Sequence, residues 1–429
     1  MKLFSKYITN ISSLQFIQLL RFSVLFIIGI VFSHYYTKTS IGEYEILIFT
    51  ASAISFFWLR GVLQTFMASV KPNSSLKTDS YFNIALLLFI FSIIAVVFLI
   101  LFKKSISSFF NINTIPYFKW LILYVLFNTP SYIIEYIFLT QNKSKKVIIY
   151  GLISYGLQSI LLITPAILSL DIIYPIIGLV LISIARFIYL LIIIYKYSKY
   201  KISFSFLKTY IHLAYPLIGS AFLSGSAQYI DGFFVKTFFD TSTFAVFRYG
   251  ARELPLIAIM ANALSNSMIY DFSNMNIKDA LYKLKQNAKK LMHILFPITI
   301  LLLIISNWIF IQFFTSEFTQ SAKIFNTYLL LIIPRLLFPQ TILIGQQYTK
   351  AILQVSFIEI LINATLSFIF IQIWGLIGVA IATIIANLFE RITLVIIVKT
   401  KLNIKISDYL STKWYLFYSI ITIIIFLFN

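Results

Sequence analysis

The chain has 429 residues, of which 60% are apolar and only 11% charged, with a mean hydropathy of +0.92. Soluble domains carry about 25% charged residues, and a globule with so few charges could not cover its surface in water. Those numbers exclude a soluble enzyme, a secreted disulfide scaffold, a disordered chain and a nucleic-acid-binding domain, and leave a polytopic membrane protein.

The formal net charge is +20, a balance that in a soluble chain would point to nucleic acid. Here the lysines sit in short loops between apolar runs, where they set topology and meet anionic lipid headgroups. The chain has no cysteine, hence no disulfide and no thiolate site. Lys2 and Lys6 precede an apolar run that contains Gln15, Gln18 and Arg21 and has no small-residue cleavage site. It reads as a first span rather than a cleaved signal peptide.

A helix needs about 20 mostly apolar residues to cross roughly 30 Å of hydrocarbon. In chain order the runs predict spans over 12–35, 43–70, 80–102, 116–140, 147–169 and 172–195. A second set follows over 209–237, 243–270, 291–315, 321–347, 351–373 and 376–398. A thirteenth run, 414–428, would cover only about 22 Å as a helix, which makes it either a short span or an interfacial segment. With the N-terminus cytoplasmic, twenty-one lysines fall on the cytoplasmic side. Lys38, Lys103, Lys104, Lys119, Lys236 and Lys323 fall outside. This is the positive-inside bias expected of twelve core spans.

The two sets of six also resemble each other. PIIGLVLISIA from Pro175 recurs as GLIGVAIATII from Gly375, displaced by 200, and TSIGEYEILIF from Thr39 has a counterpart from Ser242, displaced by 203. The reading is an all-α polytopic protein of two six-helix bundles related by a pseudo-two-fold axis along the membrane normal, with a short C-terminal helix added. Residues 1–195 form the first bundle, 196–208 a basic cytoplasmic linker, 209–399 the second bundle and 400–429 the tail. A stretch with Ile277, Leu281, Leu284 and Ala288 on one helical face and lysines opposite is predicted to lie on the membrane surface or to serve as a solvated connector.

The basic residues divide their labour. All 27 lysines lie in loops or at span ends, whereas all seven arginines (Arg21, Arg60, Arg186, Arg248, Arg252, Arg335 and Arg391) lie inside spans. A centrally placed arginine costs roughly 2.5–3.5 kcal/mol on an insertion scale, so these side chains must face protein, water or a ligand. Several share helix faces with other polar residues. Examples are Gln15, Gln18 and Arg21; Ser52, Arg60 and Gln64; and Ser220, Ser224, Gln228 and Asp231. Arg248, Arg252, Asn262 and Asn266 form another stripe, and Glu359, Asn363 and Ser367 a further one. Turned toward each other, the stripes of spans 1, 2, 7 and 8 would line a wet cationic cavity.

Arg21, Arg60, Arg248 and Arg252, with Gln18, Gln64, Gln228 and Asn262, are the candidate ligand contacts. Four arginines against Asp231 and Glu253 leave a positive surplus that suits an anion, and the planar guanidinium fork suits phosphate. Arg186 and Arg391 read as structural pairs or snorkelling groups. Arg335, between Pro334 and Pro339, has broken helix carbonyls to satisfy. Asp231, Glu253 and Glu359 are candidates for coupling to H+ or Na+, with structural salt bridges as their plainer alternative. The histidines are dispersed near span ends, and there is no phosphate-binding loop, HExxH or GxSxG motif.

Three segments carry a family resemblance. IGEYEILIFTASAI (from Ile41), SAQYIDGFFVKTFFDTSTFAVFRYGARELPLI (from Ser226) and INATLSFIFIQIWGLIGVAIATIIANLFERITLVI (from Ile362) resemble the polysaccharide and O-antigen flippases. These belong to the multidrug/oligosaccharidyl-lipid/polysaccharide exporter superfamily. The resemblance extends over about residues 8–400. It implies a V-shaped pair of bundles in a bacterial cytoplasmic membrane, and alternating access for an undecaprenyl-pyrophosphate-linked oligosaccharide moving to the outer leaflet. It implies no cofactor and a monomer surrounded by membrane lipids, with a polysaccharide polymerase and a chain-length regulator as partners. The related peptidoglycan-precursor flippases use arginines in spans 1, 2 and 8, the spans that hold Arg21, Arg60, Arg248 and Arg252. Two other functions fit the architecture less well. A cation-coupled multidrug exporter would want acids in the cavity, and a membrane glycan polymerase would need a large polar outer loop.

Overall fold

A computed structural model of the chain describes residues 10–69, 77–198, 200–251 and 255–428. Within them the chain is a succession of helices. The first eight are α1 (Asn10–Tyr35), α2 (Lys38–Ser69), α3 (Lys77–Leu101), α4 (Lys103–Phe109), α5 (Phe118–Ser131), α6 (Ile133–Thr140), α7 (Ser144–Ile167) and α8 (Ile173–Tyr197). They are followed by α9 (Phe204–Phe238), α10 (Thr241–Gly250), α11 (Pro255–Asn274), α12 (Ile277–Phe313), α13 (Thr319–Leu329), α14 (Ile332–Arg335) and α15 (Pro339–Gly345). The last three are α16 (Thr349–Leu402), α17 (Ile406–Tyr409) and α18 (Thr412–Leu427).

Among the described residues, eight helices are long and apolar enough to cross a membrane, or nine if the bent pair Ser316–Arg335 and Pro339–Gly345 is one span. Helix α9 is not among them; α10 has only 10 residues, and Leu256–Ile269 in α11 counts as a shorter apolar helix. Each predicted span is nevertheless helical over most of its described residues. Prolines set two of the breaks. Span 4 divides into α5 and α6 just after Pro130, and span 10 breaks between Pro334 and Pro339, with Phe338 in the left-handed region (φ 56°).

The chain groups into two compact units. The first comprises residues 1–225 and 239–245, the second 226–238 and 246–429, so α9 contributes its beginning to one and its end to the other. In the first unit α1 lies along α7, α7 along α8, and α5 between α3 and α8. The early part of α9 packs on α2. Tyr210 donates from its hydroxyl to the Val62 carbonyl (2.7 Å), and Phe222 stacks on Phe56.

In the second unit the buried core gathers side chains from α11, α12, α15, α16 and the C-terminal segment, among them Phe272, Leu284, Phe296, Ile342, Leu394 and Tyr409. The stretch around Leu281, Leu284 and Ala288 is not a separate surface element. It forms the opening turns of the 37-residue α12, capped by the Asn276 side chain accepting from the Lys278 backbone N–H. Its apolar stripe is buried in that core, while Lys283 pairs with Asp271 at 2.8 Å. Apolar spacing fixes which face of a helix is covered. It does not fix whether lipid or protein covers it.

The thirteenth run forms α18, a 16-residue helix of about 24 Å, seated on α12. Tyr418 hydrogen-bonds His293 at 2.8 Å and stacks on Phe296 at 5.3 Å, and Trp414 meets the His293 ring edge-on.

Helix α16 is in fact two antiparallel arms. Gly375 has φ 59° and ψ −135°, a conformation open only to glycine, and there the chain reverses. Across the two arms Ser356 donates to Glu390 (2.8 Å) and Asn363 to Thr383 (3.1 Å). This is the division between spans 11 and 12 that the sequence predicts.

Three residues past the reversal, a Cβ on Gly378 would lie 2.1 Å from the Phe370 carbonyl oxygen. Gly178, 200 residues earlier, makes the same kind of approach, at 2.6 Å from the Leu161 carbonyl. Because the obstacle is backbone, Gly378→Leu should cost at least about 1–3 kcal/mol. It should lower the thermal midpoint of the purified protein by several degrees. Gly156→Leu, where a Cβ meets nothing within 4 Å, should leave it unchanged.

Candidate functional site

Each unit holds a buried polar constellation. In the first unit, the break after Pro130 places Tyr132 and Glu135 opposite the polar face of α1. Arg21 donates from Nε to the Tyr155 hydroxyl (2.6 Å) and from Nη2 to Glu135 Oε1 (2.9 Å). Its guanidinium also lies over the rings of Tyr132 (4.7 Å) and Tyr155 (5.4 Å).

Arg186 approaches the same Tyr155 ring at 4.8 Å. It donates to Ser154 Oγ (2.6 Å), Gln158 Oε1 (2.7 Å) and Asn128 Oδ1 (3.4 Å). Arg186 is buried and held by neutral acceptors rather than by a carboxylate. Two guanidiniums flank one tyrosine, but only Arg21 pairs with a carboxylate, so the charge of Arg186 is balanced by neutral acceptors alone. A charge in low dielectric needs its hydrogen bonds satisfied; Arg186 bonds through Nε and both Nη atoms, and Arg21 through Nε and Nη2 with its side chain 29% accessible. The space beside Glu135 and Arg186 is about 10 Å³, roughly one water, so these side chains pack closely against one another.

The other candidates of this unit lie at its surface. Arg60 and Gln64, one turn apart on α2, are exposed, as is Gln18 on α1, while the Arg21 side chain keeps 29% of its surface accessible.

In the second unit Asp231 is buried and fully engaged. Tyr328 donates to its Oδ2 (2.5 Å), and the Thr383 hydroxyl lies 2.6 and 2.8 Å from its two oxygens. Asn363 donates to Thr383, and Ser367 donates to Asn363 at 3.3 Å. Glu359, one turn before Asn363 on the same buried face, has an Oε1 with no hydrogen-bond partner among the described residues. This chain of carboxylate, hydroxyl and amide oxygens has the chemistry to exchange a proton or a hard cation. Among the described residues no group of three or more His, Cys, Asp or Glu side chains forms a metal site.

Arg248 is half-buried on α10, and Gln228 and Asn262 are exposed. Arg252 and Glu253 lie outside the described residues. Arg391 donates to Gln340 (2.8 Å) and lies 3.6 Å from Glu390, the structural pairing expected of it. Arg335 ends the short α14 between the two breaks. Lys236, counted above with the outer loops, is instead buried in the last turn of α9 at 1% exposure. The sequence reading also missed Tyr132, Tyr155, Tyr328 and Thr383, the groups that hold Arg21 and Asp231. A tyrosine or threonine in an apolar helix gives no signal of its own. Only Ser154 and Gln158, four residues apart on α7, marked a polar face.

The chain matches the family model described as "Polysaccharide biosynthesis protein" over residues 37–323, about two thirds of its length. Among solved structures it is similar to the lipid II flippase MurJ in an inward closed conformation, at 21% identity and a TM-score of 0.71, covering 96% of this chain and 97% of that one. It is also similar to an inward-facing multidrug resistance MATE family transporter of the MOP superfamily (14%, TM-score 0.62, covering 89% and 94%). A third likeness is to a MOP superfamily transporter from Pyrococcus furiosus with a binding pocket of reversed polarity (15%, TM-score 0.59, covering 92% and 95%). No curated protein matches the chain by sequence. Eight long apolar helices, a fold shared with membrane transporters and a family match over most of the length together define it: the chain is a multi-pass membrane protein that belongs to the polysaccharide biosynthesis protein family.

Proposed function

We propose that the chain is a flippase. It carries an undecaprenyl-pyrophosphate-linked oligosaccharide, such as an O-antigen or capsule repeat unit, from the cytoplasmic to the outer leaflet of a bacterial cytoplasmic membrane. The observation that carries this reading is the pair of guanidiniums against Tyr155, Arg21 partly accessible and paired with Glu135 and Arg186 buried on neutral acceptors, in a chain of a polysaccharide biosynthesis family. A pyrophosphate brings roughly two negative charges that must lose water to cross low dielectric. Arginine forks replace those hydrogen bonds bidentately.

Arg21, Arg60, Arg248 and Arg252 make these contacts, with Gln18, Gln64, Gln228 and Asn262 on the glycan, while the polyprenyl tail stays in lipid. The two six-span halves, 1–195 and 209–399, rock about the linker 196–208 to expose the head group to either side, with the N-terminus cytoplasmic. Proton or sodium exchange at Asp231, Glu253 or Glu359 resets the cycle. No catalysis and no cofactor is involved. A polymerase and a chain-length regulator receive the product from the monomeric carrier.

The buried acids of the second unit also favour a second reading, a cation-coupled multidrug exporter. The two separate in proteoliposomes. The flippase reading expects protein-dependent translocation of a fluorescent undecaprenyl-pyrophosphate oligosaccharide and no transport of cationic dyes. Dye export without glycolipid movement would overturn it.

A further inference from the structure

The space between α7 and α8 in the first unit is a lateral groove of about 410 Å³. Ile149, Ile153 and Leu157 form one wall and Ile182 and Ala185 the other, with Ser154 and the largely buried Arg186 among the lining groups. Tyr150 and Tyr189 stack across the helices at 5.7 Å with their planes 12° apart. From Lys146 to Leu157 the groove follows α7 for about 16 Å.

One end is strongly basic. Lys146 lies 3.5 Å from the Tyr197 hydroxyl, and the ammonium groups of Lys143 and Lys196 stand 4.4 and 5.8 Å from the Tyr197 ring. No Asp or Glu occurs between residues 136 and 170 or between 172 and 230, so nothing on α7 or α8 neutralises these lysines. Asp171 sits at the opposite turn of the helix pair.

We propose that this groove holds one acyl chain of an anionic phospholipid whose phosphate rests on Lys146 and its lysine neighbours. The walls are apolar and open sideways, as a lipid chain requires. The lysine–tyrosine end has the composition of a headgroup contact at a membrane interface. The lysines at one end select the occupant, because they favour an anionic headgroup at the interface, while a groove of about 410 Å³ leaves room along α7 and α8 for an apolar chain. A lipid held here would be a fixed part of the first unit, bracing α7 against α8 beneath the Arg21–Tyr155–Arg186 network.

Native mass spectrometry of the full chain in detergent tests the proposal, with phosphatidylglycerol and phosphatidylcholine of identical acyl chains as probes. Phosphatidylglycerol should bind at least tenfold more tightly than phosphatidylcholine. Lys146→Ala with Lys196→Ala should remove most of that preference. Ile153→Trp, which fills the groove, should abolish binding of both lipids, and Ala185→Leu serves if the tryptophan variant does not fold. Equal binding of the two phospholipids would overturn the proposal. So would unchanged phosphatidylglycerol binding by a well-folded groove-filling variant. Preferential capture of undecaprenyl phosphate over phosphatidylglycerol would also overturn it, and would assign the groove to the carrier lipid.

Discussion

Replacing Arg21 with glutamine while Glu135 is also made glutamine is expected to leave a folded protein that flips its glycolipid about 10- to 100-fold more slowly. The single variant Arg21→Gln is a poorer test. It would strand the buried Glu135 carboxylate, and breaking a buried pair from one side costs about 3–5 kcal/mol, enough to lower protein level by itself. The double variant removes both charges of the 2.9 Å pair and isolates what Arg21 does for substrate. A charge-assisted hydrogen bond to phosphate contributes about 1.5–3 kcal/mol, which sets the expected range of rate loss. Arg21→Lys should fall between wild type and the double variant, because it keeps the charge and loses the two-pronged fork. The readouts are protein level by immunoblot and translocation in proteoliposomes. A double variant that flips at the wild-type rate would remove Arg21 from the substrate path.

Asp231→Asn is expected to uncouple transport from any imposed ion gradient while sparing the fold. The amide has the shape of the carboxylate. The Tyr328 and Thr383 hydroxyls around it can rotate to accept as well as donate, so the structural cost should stay near 1–2 kcal/mol. The amide carries no titratable charge, so neither a proton nor sodium is exchanged there. Glycolipid movement driven by a sodium or pH gradient should fall to the rate seen with no gradient, and substrate binding should persist. Glu359→Gln provides the comparison. Loss of the gradient response in that variant, with the response intact in Asp231→Asn, would move coupling from Asp231 to Glu359.

The span pattern was readable because membrane helices announce themselves by apolar length, and the Pro334–Pro339 stretch marked its own break. The division after Pro130 and the conformation at Gly375 follow from the same local backbone chemistry but emerged only in the structure. Tertiary partnership leaves no such local mark. Arg21 meets Glu135 across 114 residues and Tyr155 across 134, and Asp231 meets Thr383 across 152. A polar residue on an apolar helix signals that a partner exists without saying which. The same limit explains the opening turns of α12. Their lysine-opposite-leucine pattern is equally consistent with lipid and with protein beneath, and the core formed with α11 and α16 decided for protein. Lys236 shows the reverse error, since position near a span end suggested water and the fold buried it.

Affinity for the carrier lipid, measured as its head group is stripped of charge, tests the central idea most directly. Undecaprenyl diphosphate, undecaprenyl monophosphate and undecaprenol share one tail and differ only in charge. Binding to the purified protein should weaken stepwise along that series, and the steps should collapse when Arg21, Arg60 and Arg248 are replaced by glutamine together with Glu135→Gln. Equal binding of the diphosphate and the uncharged alcohol by the wild-type chain would contradict recognition of the diphosphate by arginine.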